Sequence, residues 1–199
     1  MWPGIAAAIS VTTGKPFSIE QRASVGGGCI NPAYRIEGRG VVYFVKTSSA
    51  DRRETFAAEA SALEEIAASG TLRVPRVVCH GGDETASWLV LEHIALQRHG
   101  DLERLGRRLA ALHRVRAESF GWSRNNVLGA TPQINTPAAD WLQFWREQRL
   151  GYQLRLAADN GYRGALQRSG RRLMDRLSDL LSGHRPAPSL LHGDLWSGN

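Results

Sequence analysis

Cysteine, lysine and long apolar runs are all scarce in this chain of 199 residues. The two cysteines, Cys29 and Cys79, are far apart and form no Cys-x-x-Cys pair, which argues against a disulfide framework and against a zinc site. No apolar run approaches the roughly 20 residues that a transmembrane helix needs. Residues 1–9 are apolar, but they lack the basic start and the small-residue cleavage pattern of a signal peptide. These absences predict a cytoplasmic protein that does not span a membrane.

The positive charge comes almost entirely from arginine. Only two of the 25 basic residues are lysines, Lys15 and Lys46, and the formal net charge is +6. A basic balance of this kind also occurs in nucleic-acid-binding proteins. The arginines, however, are scattered through predicted helices rather than gathered into one block. We interpret them as a solvated basic surface that suits anionic ligands such as nucleotides, and we do not expect a nucleic-acid partner.

Two parts with different residue patterns follow one another along the chain. The first, residues 1–94, has one predicted helix at 51–69 and short β-prone runs at 17–25, 33–37, 41–46, 77–79 and 87–92. Asp51 is expected to cap that helix, Gly70 to end it, and Gly81-Gly82 to join the last two strands. The second part, residues 95–199, has an irregular stretch at 121–137 and helical spacing at 101–116, 138–159 and 165–181. The pattern predicts an α+β protein with a β-rich first lobe, a connection near residues 93–100 and a helical second lobe.

The last eight residues form the most informative motif, His192-Gly-Asp-Leu-Trp-Ser-Gly-Asn199. Phosphoryl transfer needs a carboxylate that accepts the proton of the attacking hydroxyl and a neutral oxygen ligand for Mg²⁺. A kinase catalytic loop supplies both at the spacing of Asp194 and Asn199. The motif therefore predicts Asp194 as the base and Asn199 as the magnesium ligand, with His192 bracing the loop. Trp196 is interpreted either as a stacking surface for a sugar-like substrate or as a packing residue.

Lys46 and Glu59 are a candidate phosphate-positioning pair. Lys46 ends the apolar run 41–45, and a compact ammonium there suits a point contact with nucleotide phosphates. An edge lysine that reaches water is the alternative. Glu59 lies in the following helix with Phe56 and Leu63 on the same side, so its carboxylate can face the sheet and hold Lys46. A strand lysine paired with a helix glutamate is the ion pair that a kinase needs, and it predicts ATP as a ligand.

Two further segments are candidates for nucleotide binding. Gly26, Gly27 and Gly28 lie between two predicted strands and let backbone N–H groups approach phosphates, although any hairpin turn also favours glycine. Cys29 follows directly and is interpreted as a buried thiol or, beside backbone amides, as a redox-sensitive one. Glu92, His93 and Ile94 lead from the first part into the second, where an adenine ring can meet backbone donors and acceptors. A plain linker is the alternative.

With these motifs the chain resembles the fructosamine kinase (ketosamine-3-kinase) family of the protein-kinase-like superfamily, which also holds aminoglycoside and choline kinases. The full form of the terminal motif is the most specific part of the resemblance. Nearly the whole chain takes part, through the segments 27–31, 43–46, 58–60, 73–75, 89–92, 109–113, 120–122, 125–126, 131–135 and 140–141.

The resemblance implies a two-lobed protein-kinase-like fold that binds ATP and Mg²⁺ and phosphorylates the 3-hydroxyl of ketosamines, free or on glycated proteins, as deglycation repair. It also links Cys29 to redox-sensitive dimerisation in some relatives, so a monomer and a homodimer both stay open. Family members continue past this motif into a second magnesium-binding Asp that this sequence does not contain. We therefore expect either a fragment with a truncated second lobe or a chain that does not complete catalysis.

Two other functions remain open at this point. One is another phosphotransferase of the same superfamily, acting on an aminoglycoside, on choline or on an amino alcohol. The other is a non-catalytic module that binds a nucleotide without turnover.

Overall fold

The computed structural model describes residues 1–26, 31–97 and 100–195. They form two compact units. The first contains residues 1–112 and the described part of 192–199, and the second contains residues 113–191. The boundary predicted between residues 94 and 95 stays a prediction.

A five-stranded antiparallel sheet is the centre of the first unit. Its strands are β1 (Gln21–Val25), β2 (Ala33–Gly38), β3 (Val41–Ser49), β4 (Val77–Gly82) and β5 (Ala86–Glu92). The spatial order is β1-β2-β3-β5-β4, so β3 lies in the middle. The β-rich first lobe is thus confirmed.

The strand boundaries differ from the prediction at both edges of this sheet. β1 begins at Gln21 rather than at residue 17. Gly81 and Gly82 belong to β4 instead of forming the turn, because Asp83 builds the turn after them. The Asp83 carboxylate accepts hydrogen bonds from the backbone N–H groups of Thr85 and Ala86, both at 2.9 Å. This is the local side-chain turn that Asp commonly makes.

Helix α1 (Trp2–Thr13) covers one face of the sheet, and the sequence analysis missed it. Its fully buried Ile5 and Ile9 pack with a cluster that includes Val45 and Val90. Three signals were available in the sequence. Proline stands in the first turn, the two isoleucines are one turn apart, and Gly14 ends the helix with a φ of 66°.

Helix α2 (Arg53–Ala68) packs on the opposite face through Phe56 and Ala60, which contact Leu89 and Leu91. Successive strand residues point to opposite faces, so β5 supplies both cores. Asp51 was expected to cap this helix, and that prediction is wrong. Because β3 runs on to Ser49, the chain turns through a short 3₁₀ segment, Ala50–Arg52, and the residue before α2 is Arg52, which makes no side-chain cap. A hydrogen bond from the Ser49 side chain lowers the pKa of Asp51.

Helix α3 (Leu102–Leu112) completes the first unit. In the second unit, residues 121–137 were predicted to be irregular, but they contain a short hairpin of β6 (Asn126–Leu128) and β7 (Thr131–Gln133). The buried amide of Asn135 fixes it. Its Nδ2 donates to the Asn126 side chain at 2.8 Å, and its backbone N–H donates to the Asn125 side chain at 2.9 Å.

The predicted helices of the second unit are present in several pieces. They are α4 (Trp141–Phe144), a π-helical turn (Trp145–Gly151), α5 (Tyr152–Asp159), α6 (Ala165–Asp175) and α7 (Leu177–Leu180). Asp140 caps α4 by accepting the Gln143 N–H at 2.7 Å. Among the described residues, the helices are too short or too polar for any of them to traverse a lipid bilayer.

Candidate active site

Lys46 lies on the central strand of the sheet, on the face that α2 covers. Its backbone pairs with Ala33 of β2 on one side and with Leu89 of β5 on the other. Because strands on both sides pair with β3 at this position, the Lys46 backbone is fixed and only its side-chain conformation can change. This excludes the alternative of a lysine on an edge strand.

The Lys46 ammonium forms the predicted ion pair with Glu59. Nζ and Oε1 are 2.6 Å apart, and the two side chains are 33% and 30% exposed. Glu59 is held in place because the residues around it on α2, Phe56 and Ala60, are buried against β5. The sheet and the helix core thus position the two charges independently. The remaining exposure leaves the ammonium accessible to a ligand.

Asp194 lies in the turn of the terminal motif and is exposed. Gly193 before it has a φ of 84°, a left-handed conformation that favours glycine. The backbone N–H of Asp194 donates to Nδ1 of His192 at 3.4 Å, a long hydrogen bond that fits the bracing role predicted for His192. Residues 192–195 belong to the same compact unit as Lys46 and Glu59.

Glu92 ends β5, and hydrogen bonds join it to Arg73 and Arg76 in the segment before β4. Its carboxylate accepts two hydrogen bonds from the Arg73 guanidinium, at 2.7 and 3.1 Å. It also accepts the Arg76 N–H at 3.1 Å, and its own N–H donates to the Arg76 carbonyl at 2.9 Å. The bond from Arg73 is the main reason that the pKa of Glu92 is lowered. The predicted adenine contacts of Glu92, His93 and Ile94 stay a prediction, with His93 and Ile94 directly following the strand.

Arg73 is a residue whose contact the sequence analysis missed. Arg73 belongs to the segment 73–75 of the family resemblance, but no interaction partner was predicted for it. Arg73 lies in the loop before β4, and Glu92, 19 residues further along the chain, ends β5, so no local spacing rule connects them. Only the pairing of β4 with β5 brings them together.

Several predicted site residues lie outside the described part of the chain: Gly27, Gly28, Cys29, Trp196 and Asn199. Gly26 is described, directly after β1, and a Cβ added there would meet no atom within 4 Å. In the described ranges 1–26, 31–97 and 100–195, no three His, Cys, Asp or Glu side chains cluster as metal ligands. Asn199, the predicted magnesium ligand, lies outside the described residues, so its role stays a prediction.

Two of the hollows on the described surface have a volume of about 530 Å³ each, and neither of these two is lined by Lys46 or Glu59. The first lies beside Leu63, Val77 and Glu92. The second lies between α3 and the segment that follows α2, and Arg73 lines both. The ion pair, rather than either hollow, therefore defines the candidate site.

Comparison with known proteins agrees with this geometry. The model of the fructosamine kinase family matches residues 1–199. A probable ketoamine kinase of Synechocystis sp. is 45% identical, over 100% of this chain and 67% of that protein. The chloroplastic protein-ribulosamine 3-kinase of Arabidopsis thaliana is 39% identical, over 95% of this chain and 59% of that protein. The chain thus spans about two thirds of the length of these relatives.

Solved structures share the fold. One from Haemophilus somnus, assigned as a fructosamine-3-kinase, has a TM-score of 0.89 at 28% identity. The match covers 98% of this chain and 66% of the Haemophilus chain. The aminoglycoside phosphotransferase APH(4)-Ia has a TM-score of 0.55 at 13% identity, over 91% of this chain, which shows the kinase-like fold alone. With its whole length matched by the family model and close relatives in bacteria and plants, the chain belongs to the fructosamine kinase family.

Proposed function

We propose that this chain carries the nucleotide-binding and catalytic residues of a ketosamine-3-kinase, which transfers the γ-phosphoryl group of ATP to the 3-hydroxyl of a sugar–amine adduct. The single observation that carries the proposal is the Lys46–Glu59 ion pair at 2.6 Å. Membership of the fructosamine kinase family and the names of the relatives, ketoamine kinase and protein-ribulosamine 3-kinase, support the same acceptor class.

Lys46 and Glu59 act together in the proposed reaction. A lone ammonium on the sheet would attract any carboxylate nearby, whereas a paired one is oriented before the nucleotide arrives. Because about a third of each side chain remains exposed, the ammonium can contact an anionic phosphate without breaking the pair. Pre-positioned electrostatic contacts of this kind usually contribute most of the rate enhancement in phosphoryl transfer.

Asp194 is the proposed base. Its carboxylate accepts the proton of the acceptor hydroxyl while that oxygen forms a bond to the γ-phosphorus and ADP leaves. Proton transfer by a positioned group typically contributes about 10²- to 10⁴-fold in rate. Mg²⁺, when bound, would neutralise phosphate charge, and Asn199 is the residue of this chain proposed to hold it. His192 is a positioning residue, since its ring contacts the backbone of Asp194.

The test is ADP release with the purified full-length protein that contains this sequence, ATP, Mg²⁺ and either a ribulosamine or a fructosamine. We expect turnover with these acceptors and its loss in Asp194→Asn, while the matched control Asp159→Asn, an exposed residue at the end of α5, keeps full activity. Undiminished activity of Asp194→Asn would refute the assignment of the base. An acceptor panel containing an aminoglycoside and choline separates the related phosphotransferases, and nucleotide binding without turnover on any acceptor would favour a binding module.

A further inference from the structure

Glu92 is the last residue that the sheet holds before two of the proposed adenine contacts. β5 ends at Glu92, and the described residues that follow it, 93–97, have no regular secondary structure. His93 and Ile94 therefore take their position from the end of this strand. Strand ends open more readily than strand centres, because fewer hydrogen bonds and contacts hold them. Whatever fixes Glu92 thus also fixes the place at which the base is proposed to bind.

The end of β5 lies at a distance from Lys46 that suits a nucleotide. Leu89 pairs with Lys46, and Glu92 follows Leu89 by three residues. At about 3.4 Å per residue, these two positions of β5 are about 10 Å apart along the strand. A nucleotide whose phosphates contact the Lys46 ammonium is long enough to bring its base to the end of β5. The sheet thus separates a phosphate end from a base end.

Both oxygens of the Glu92 carboxylate accept hydrogen bonds from the segment before β4. Oε1 accepts a hydrogen bond from Nη2 of Arg73 at 2.7 Å, and Oε2 accepts one from Nη1 of Arg73 at 3.1 Å. Oε2 also accepts the backbone N–H of Arg76 at 3.1 Å. Two parallel bonds from one guanidinium fix the orientation of a carboxylate as well as its distance. The Arg73 guanidinium therefore holds the Glu92 side chain in one arrangement.

Arg73 belongs to a stiff segment. Its Nη1 also donates to the carbonyl of Val74 at 2.6 Å. Pro75 has a fixed φ and favours an extended conformation of the residue before it. The backbone of Arg76 donates one hydrogen bond to the Glu92 carboxylate and accepts one from the Glu92 N–H at 2.9 Å. The segment that carries the guanidinium is thus attached to the end of β5 at both of its own ends.

The Arg73–Glu92 ion pair contributes little to the stability of the fold. Arg73 is 62% exposed and Glu92 is 33% exposed, and ion pairs open to water stabilise a protein only weakly. Loss of the pair should therefore free the end of β5 and leave the sheet folded. The exposed ion pair of Arg107 with Glu103 is a matched comparison, because both residues lie on α3 and the pair joins no separate segments.

We propose that Arg73 is a positioning residue for nucleotide binding. Through Glu92 it fixes the end of β5, and thereby the two residues, His93 and Ile94, at which the adenine ring is proposed to bind. The inference rests on the proposed function and adds to it a residue that acts on the base alone, whereas Lys46 acts on the phosphates. Arg73 contacts neither the nucleotide nor the acceptor in this role.

Calorimetry with two probes tests this role on the full-length protein that contains this sequence. Mg·ATP carries a base and phosphates, and Mg·tripolyphosphate carries phosphates alone. Arg73→Met should weaken binding of Mg·ATP about tenfold and leave binding of Mg·tripolyphosphate unchanged, because only the base loses a preorganised contact. Lys46→Met should weaken binding of both probes, and the matched control Arg107→Met should weaken neither. Equal weakening of both probes in Arg73→Met, or equal affinity of the unaltered protein for both, would overturn the proposal.

Hydrogen–deuterium exchange of the nucleotide-free protein, followed by NMR, tests the physical cause. The backbone N–H of Glu92 donates to the Arg76 carbonyl, so its exchange reports opening of the strand end. It should exchange about tenfold faster in Arg73→Met and at an unchanged rate in Arg107→Met. An unchanged rate in Arg73→Met would contradict positioning through Glu92.

Two further variants separate the guanidinium geometry from its charge. Arg73→Lys keeps the charge without the bidentate fork, so it should restore the affinity for Mg·ATP only in part. Adding Glu92→Gln to Arg73→Met should weaken binding of Mg·ATP little further, because the partner of Glu92 is already gone. Additive losses would mean that Arg73 does not act through Glu92. If Arg73→Met does not fold, as judged by circular dichroism, Glu92→Gln alone replaces it with the same expected results.

Steady-state kinetics separates this inference from the proposed function. Arg73→Met should raise KM for ATP about tenfold and leave kcat and the KM for a ribulosamine unchanged, as expected when binding is lost equally in the ground state and the transition state. No turnover of any ketosamine by the unaltered protein would contradict the kinase assignment, and the comparison of the two probes would still decide the role of Arg73. Turnover with an unchanged KM for ATP in Arg73→Met would contradict that role alone.

Discussion

The substitution Glu59→Gln removes one charge from the candidate site with little change of shape. In the native protein the two charged atoms are 2.6 Å apart and each side chain is about one-third exposed, so water screens the pair only in part. Fully exposed pairs contribute about 0.2 to 1 kcal/mol, and hydrogen bonds to charged groups contribute about 1.5 to 3 kcal/mol. The partly exposed Lys46–Glu59 pair should lie between these ranges, at about 1 kcal/mol of unfolding free energy.

A loss of that size predicts a fall in melting temperature of about 2 to 4 °C for a protein of this length. Nucleotide affinity should fall more clearly, by about tenfold, because Lys46 keeps its charge but loses the group that orients it. Isothermal titration calorimetry with Mg·ATP measures the affinity. Glu64→Gln is the matched control, since it makes the same change on an exposed position of α2 and should leave affinity unaltered.

A double-mutant cycle makes the prediction specific to the pair. Lys46→Met alone should weaken nucleotide binding, and adding Glu59→Gln to it should weaken binding little further, because the partner of Glu59 is already gone. Additive effects of the two substitutions, or unchanged affinity in Glu59→Gln, would refute the idea that Glu59 acts through Lys46.

Two stability predictions follow from the packing and the turns. Gly170→Ala should lower the melting temperature by an amount equivalent to about 1 kcal/mol, because the new Cβ overlaps the buried Leu154 side chain, whereas Gly106→Ala on α3, where a Cβ meets nothing within 4 Å, should raise it by a similar amount. A fall of the melting temperature in both variants would contradict this contrast. The pKa of Asp83 is lowered, chiefly by the hydrogen bond from the Thr85 hydroxyl. Its stabilisation is therefore present above the ordinary aspartate pKa of about 4 and is lost as the pH falls below it, so Asp83→Asn should show a shallower loss of unfolding free energy on acidification.

The local elements were largely predictable because their signals are local. Short runs of β-prone residues identified β2 and β3, and the spacing of Phe56, Ala60 and Leu63 identified α2. The apolar N-terminal segment shows the limit of that approach. It was examined only as a targeting signal, although Ile5 and Ile9 already had helical spacing.

Sequence by itself determined which residues carry the candidate chemistry. Lysine on an apolar strand, glutamate on the next helix and aspartate in a glycine-containing turn can be recognised from residue type and spacing, since each depends on its own neighbours. Tertiary structure decided which of these groups meet. The distance between Lys46 and Glu59 depends on α2 packing across β5, and the contact of Arg73 with Glu92 depends on the pairing of β4 with β5. The register of a sheet and the docking of a helix are set by the whole core, so a linear pattern alone does not fix them.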